Sequence, residues 1–279
     1  YQEFIDYDEA DYLLALASTK KTLSFNPTTR VIRDDESEQI TVISDGDATA
    51  NTIASLQIKT YTGTTLTDTA TITNSLDPNS SDDNKCLSIM VGTRDLNNST
   101  LATGSQPLIT ATITSYTIQT LDGNGAASSE LITYNIDTNC SKYEVTRFHF
   151  LNRLGGLDSF SFKMKRKLSE TIKRDTFKRK GYMYDAVYTN NITEKGRVTY
   201  DTMTTEQYEV SSDWITEAQS EWLRDLYDSP EVYWERGTDD IVAINVQERD
   251  YRVKTIVNDR LFNVDLSFEL ATDNIRQKG

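Results

Sequence analysis

Residues 147–164 read RFHFLNRLGGLDSFSFKM. Two short runs rich in aromatic side chains flank the pair Gly155-Gly156, which is the pattern of a β-hairpin. Glycine accepts the positive φ of a tight turn, and alternating large side chains suit a pleated, half-buried surface. Composition changes across this segment. Before it the chain is rich in threonine and poor in lysine and arginine. After it come a dense basic run and all three tryptophans. The hairpin therefore opens the second of two domains, and 279 residues are enough for both.

Working back from the hairpin, residues 22–138 carry strand patterns at 39–43, 56–61, 85–91, 108–119 and 131–136. Ile109, Ala111 and Ile113 share one predicted face, as do Ile132, Tyr134 and Ile136. Turn-formers separate these runs: Asp45-Gly46-Asp47, then 77–84, 97–99 and 122–125. Short strands with such punctuation predict an antiparallel β-sandwich. Nineteen threonines lie between residues 41 and 120, which suits a sheet with one solvated face. Residues 1–21 form an acidic lead-in, its short apolar segment 12–17 open to either a helical or an extended reading.

Working forward, residues 139–272 predict a β-rich domain with one packed helix. Further strands are expected at 197–210, 232–235, 241–246, 251–257 and 261–270. The last alternates, with Phe262, Val264, Leu266, Phe268 and Leu270 on one face. The helix is expected over 216–228. Thr216 and Gln219 have capping-box spacing, and Trp222, Leu223, Leu226 and Tyr227 form an apolar stripe. Ser229-Pro230 ends it, because proline disfavours helical backbone in the residue before it. Residues 273–279 are a polar tail. The fold class is thus mainly β: an N-terminal antiparallel β-sandwich, then a β-rich domain with one packed α-helix.

Charge is unevenly spread. The chain carries −14 overall, yet residues 163–180 carry +7, leaving −21 elsewhere. The basic residues are Lys163, Lys165, Arg166, Lys167, Lys173, Arg174, Lys178, Arg179 and Lys180. Three readings stand side by side. The run is a solvated or subunit-facing strand pair, a contact for a polyanion such as DNA, or a surface that docks on the acidic face of another copy. These nine residues are the candidate contact site.

Little points to catalysis. His149 is the single histidine and sits in an alternating aromatic run, which suits packing or hydrogen bonding. No His/Cys spacing suits zinc, and no phosphate-cradling glycine motif or nucleophile elbow occurs. The loop 77–84 lacks the glycine and bidentate glutamate of a calcium loop. No enzyme activity, cofactor or metal is expected. Cys86 and Cys140 are too few for a disulfide scaffold; the sequence leaves one bridge between them open, beside the reading of two unpaired, partly buried thiols. No apolar run is long enough for a membrane helix, and the acidic lead-in is not a signal peptide. The chain begins at Tyr1 rather than methionine, which points to processing or trimming there.

The second half also carries an ordered set of segments: CSKYE at 140–144, FHFLNRLGG at 148–156, DSFSF at 158–162, WITE at 214–217, SPEV at 229–232 and LFNV at 261–264. Together they resemble structural proteins of tailed bacteriophages of Bacteroidetes, the crAss-like phages and their relatives. The resemblance covers roughly half the chain. It implies a non-enzymatic virion component of the tail or neck, assembled in the host cytoplasm. Its implied partners are copies of itself in a ring or tube, neighbouring tail or portal-side proteins, and the DNA passing through the channel, with no membrane. The rival expectation is a decoration module whose threonine-rich first domain binds a host-surface glycan. Tyr61 and Tyr116 are its aromatic candidates, although both read as strand residues.

Overall fold

The computed structural model describes residues 9–12, 19–44, 52–74, 85–100, 102–103, 106–139, 141–178, 197–237, 240–247 and 261–271. The fold is mainly β. After a single helical turn α1 (Glu9–Tyr12), the first half holds β1 (Thr29–Arg33), β2 (Gln39–Ser44), β3 (Ser55–Thr62), β4 (Thr65–Thr73), β5 (Lys85–Met90), a short α2 (Thr93–Asn98), β6 (Ser115–Leu121) and β7 (Ile132–Asp137). Five of these strands form one sheet in the order β1-β7-β6-β3-β4, while β2 and β5 pair separately.

Alternation explains the inward faces. Leu56, Ile58 and Thr60 of β3 point into the core, as do Tyr116 and Ile118 of β6 and Ile132 and Tyr134 of β7. Ile40 of β2, Leu96 of α2, and Ile109 and Ile113 join the same cluster.

Two expectations need correction here. The five-stranded sheet is not wholly antiparallel, because β1 pairs with β7 in parallel. The two strands are distant in sequence, and such a pair needs a long crossover, supplied by everything between them. The stretch 108–119 becomes strand only from Ser115. Ile109 and Ile113 are buried as read, but Ala111 is exposed in a turn closed by the Ile113 amide donating to Thr110 O at 2.9 Å. The threonines mostly face solvent, as expected, although Thr41, Thr52, Thr60, Thr93, Thr117 and Thr120 are buried.

The second half holds β8 (Thr146–Leu151), β9 (Leu157–Phe162), β10 (Lys167–Lys178), β11 (Arg197–Ser211), β12 (Ile215–Thr216), α3 (Glu217–Trp222), α4 (Arg224–Asp228), β13 (Val232–Gly237), β14 (Asp240–Val246), β15 (Leu261–Phe262) and β16 (Asp265–Leu270). Seven strands form an antiparallel sheet ordered β10-β11-β16-β14-β13-β8-β9. Its core is aromatic. Phe148 meets Phe162 and Phe268 edge-on at 5.4 and 5.0 Å, geometry that adds to simple area burial.

The capping box at Thr216 and Gln219 forms as the spacing predicts. The single helix does not. It divides at Leu223, where the Leu226 amide donates to Leu223 O in a tightened i,i+3 turn, with Trp222, Leu223 and Leu226 all buried. The last strand divides too, at Asn263 and Val264: β15 pairs with β12, whereas β16 joins the large sheet. The strand expected at 251–257, the tail 273–279 and the loop 77–84 lie outside the described residues.

The opening hairpin is β8 and β9, and its two glycines do different work. Gly155 takes φ +84°, the left-handed conformation that the turn requires. Gly156 instead permits close approach, because a Cβ there would collide with the carbonyl oxygen of Leu23. Asn152 organises the turn: its Oδ1 accepts from the amides of Leu154 and Gly156, and its Nδ2 donates to Leu23 O and Asp158 Oδ2. The indole of Trp222 donates to the same Asp158 oxygen at 2.8 Å, tying α3 to the hairpin.

Candidate assembly surface

Charged side chains gather in two places with opposite character. The first is the junction between the halves. Arg147 on β8 is buried, and its guanidinium donates to Glu36 at 3.0 Å, Glu38 at 2.6 Å, Ser161 at 2.7 Å and the carbonyl of Ser37. Arg30 reaches Glu38 at 3.3 Å, and Arg94 pairs with Glu235, which also accepts from His149 at 2.9 Å. Three guanidinium groups thus face three carboxylates, drawn from β1, the β1–β2 connection, α2, β8 and β13.

The balance tunes each group. Burial alone would lower the Arg147 pKa, but the surrounding carboxylates of Glu36, Glu38 and Glu235 outweigh it and hold the charge on. Burial pushes Glu235 up, yet hydrogen bonds from His149 and Arg94 outweigh that and its pKa falls below the usual range. Glu38 goes the other way, raised by burial despite Arg147 and Arg30. His149, held by Ser159 at 2.7 Å and by Glu235, is a linker inside this network. A further bridge, Lys163 to Asp137 at 2.6 Å, crosses the same seam.

The second place is the arm formed by β10 and β11. The twelve residues of β10 and fifteen of β11 run antiparallel, but β16 accompanies β11 only from Gln207 to Ser211. Among the described residues, 197–206 and their partners on β10 have no third strand beside them and form a two-stranded ribbon, roughly 30 Å long at the usual rise per residue. Nearly every residue of β10 is exposed. Large apolar side chains lie open along the ribbon: Leu168 at 53%, Ile172 at 45%, Phe177 at 48%, Met203 at 47% and Tyr200 at 66% exposure. A ribbon of this kind is marginal by itself in water.

The register adds a second peculiarity. Glu170 stands opposite Glu206, Asp175 opposite Asp201, and Lys178 opposite Arg197. Like charges directly opposite destabilise a strand pair. Only Lys167 faces an opposite charge, Glu209 at 3.1 Å.

The nine basic residues singled out in the sequence divide accordingly. Lys163 and Arg166 are bound at the base of the arm, Arg166 reaching Glu144 at 3.0 Å and stacking over Trp234, and Lys167 pairs along the ribbon. Lys165, Lys173, Arg174 and Lys178 are exposed and make no ion pair among the described residues. Arg179 and Lys180 lie outside the described residues. Sequence reading missed the junction entirely.

Other sequence candidates are placed as follows. Tyr116 is fully buried, stacked on Tyr134 at 4.9 Å and donating to Val91 O, and Tyr61 is only half-exposed. Neither offers an open aromatic platform for a sugar. Cys86 is a free, exposed thiol rather than a partly buried one, and Cys140 lies outside the described residues. Among the described residues no group of His, Cys, Asp and Glu could hold a metal ion, and no helix is long and apolar enough to cross a membrane. No family model, curated protein or solved structure matches the chain.

Proposed function

We propose that this chain is a non-enzymatic structural protein of a virion, assembling with copies of itself into a ring or tube of a phage tail or neck around the DNA channel. The observation that supports the reading is the β10–β11 arm. It exposes apolar side chains on both faces, has no third strand beside its outer part among the described residues, and sets like charges opposite one another. A protein that worked alone would gain nothing from these features, whereas a neighbouring subunit can cover the apolar groups and answer the charges. The acidic pairs interleaved with the lysines favour a protein partner over a phosphate backbone, since Glu170, Glu206, Asp175 and Asp201 would repel DNA. The virion assignment itself leans on the resemblance of residues 140–264 to phage structural proteins.

Negative-stain microscopy of the purified chain tests the reading. Rings or tubes of uniform diameter are expected, and a chain that stays monomeric at high concentration contradicts it.

A further inference from the structure

We infer that the free edge of β10 in one copy pairs with the free edge of β4 in the next, joining the seven-stranded sheet of one subunit to the five-stranded sheet of its neighbour. The inference rests on the self-assembly reading above and names the surfaces that carry it.

β10 ends the seven-stranded sheet, and among the described residues its only strand partner is β11. It therefore presents a row of unpaired backbone donors and acceptors, the standing template for another strand. Its side chains argue for edge pairing over face docking. Leu168 and Ile172 lie on one face of the ribbon, Phe177 and Met203 on the other. A partner lying on either face leaves the other bare, whereas a strand added at the edge flanks both.

The acceptor follows from elimination among the outer strands of the two large sheets and of the β2–β5 pair. β1 carries Arg33 and is tied into the junction through the buried Arg30, β5 carries Lys85, and β9 packs against β2 inside the junction. Pairing β10 with its own copy about its centre would set Lys167 against Lys178 and Glu170 against Asp175, repeating the like-charge fault the arm already contains. β4 is different. It ends the five-stranded sheet, contains Asp68 and no basic residue, and exposes Leu66 at 51%. Its far end is occupied, since the Thr103 amide donates to Thr71 O, but residues 65–69 have no strand beyond β3 among the described residues. The threonine hydroxyls of this segment suit a basic, polar partner strand. Two different edges meeting head-to-tail make a heterologous contact, the kind that closes into a ring or runs on as a filament.

The test is amide hydrogen exchange on the full chain, dilute and assembled. Exchange should slow at least tenfold on assembly in two separate segments, 167–178 and 65–69. Asp68→Lys should weaken assembly at least tenfold, and combining it with Lys173→Glu and Arg174→Glu should restore it. Assembly with 65–69 exchanging as fast as in the dilute chain overturns the β4 pairing while leaving self-assembly intact. Failure of the charge exchange to restore assembly also counts against it. A chain that never assembles overturns both this inference and the reading beneath it.

Discussion

The junction and the arm use the same residue types to opposite ends. Around Arg147 the charges are buried, of both signs, and met by hydrogen bonds at 2.6–3.0 Å from two halves of the molecule. Along β10 and β11 they are exposed, and three of the cross-strand pairs repel. The first arrangement fixes one geometry within the chain, because removing any partner strands a charge in a dry setting. The second sets like charges opposite one another on an open ribbon, the feature on which the proposed assembly rests. A charged residue's role here is read from what stands opposite it, not from the run in which it sits.

Breaking the junction should have the largest effect. Arg147→Met leaves Glu36, Glu38 and Glu235 short of counter-charge and should cost about 3–5 kcal/mol in chemical denaturation. Lys173→Ala on the arm should change stability by less than about 0.5 kcal/mol. Gly156→Ala comes next, at about 2–3 kcal/mol, because its Cβ meets the Leu23 backbone rather than a side chain that could move. Thr216→Ala, which removes the capping box, should cost about 1 kcal/mol in the same assay.

Asp225 sharpens the contrast through pH. Burial raises its pKa to about 6, against the pull of Arg153, and its Oδ2 has no hydrogen-bond partner. The folded state thus holds this proton more tightly than the unfolded chain, so the group's contribution is fully present below pH 3.8 and is lost as pH rises to about 6. Asp225→Asn should remove that loss. Its stability relative to the parent should improve between pH 4 and pH 6.5 by on the order of 1 kcal/mol, measured as denaturation midpoints across the range. A difference that stays flat with pH would mean the carboxyl is already ionised through that window.

The hairpin at 147–164 was legible because its two signals are local: aromatic alternation on each strand and glycines between them. The capping box was legible for the same reason. The junction was not, since Arg30, Glu36, Arg94, Arg147 and Glu235 are spread through the chain and nothing in their local patterns links them. β8 hides it further, because both of its faces are largely buried, one against the aromatic core and one against the first half. β1 and β4 escaped notice because one is short and basic and the other has threonine at every second position. The stretch 108–114 misled in the other direction: its alternating residues reach the core from a turn. The charge of residues 163–180 could be counted in the sequence, but the like-charge pairs needed the register.

The most direct test of the central claim is sedimentation of the full chain beside a variant with Leu168→Ser, Ile172→Ser and Phe177→Ser, with unfolding followed in parallel. The parent should form a large species of fixed size as concentration rises, and the variant should remain a monomer with an unfolding midpoint unchanged within error. A variant that assembles like the parent would contradict the account, as would one that loses assembly only because it has unfolded.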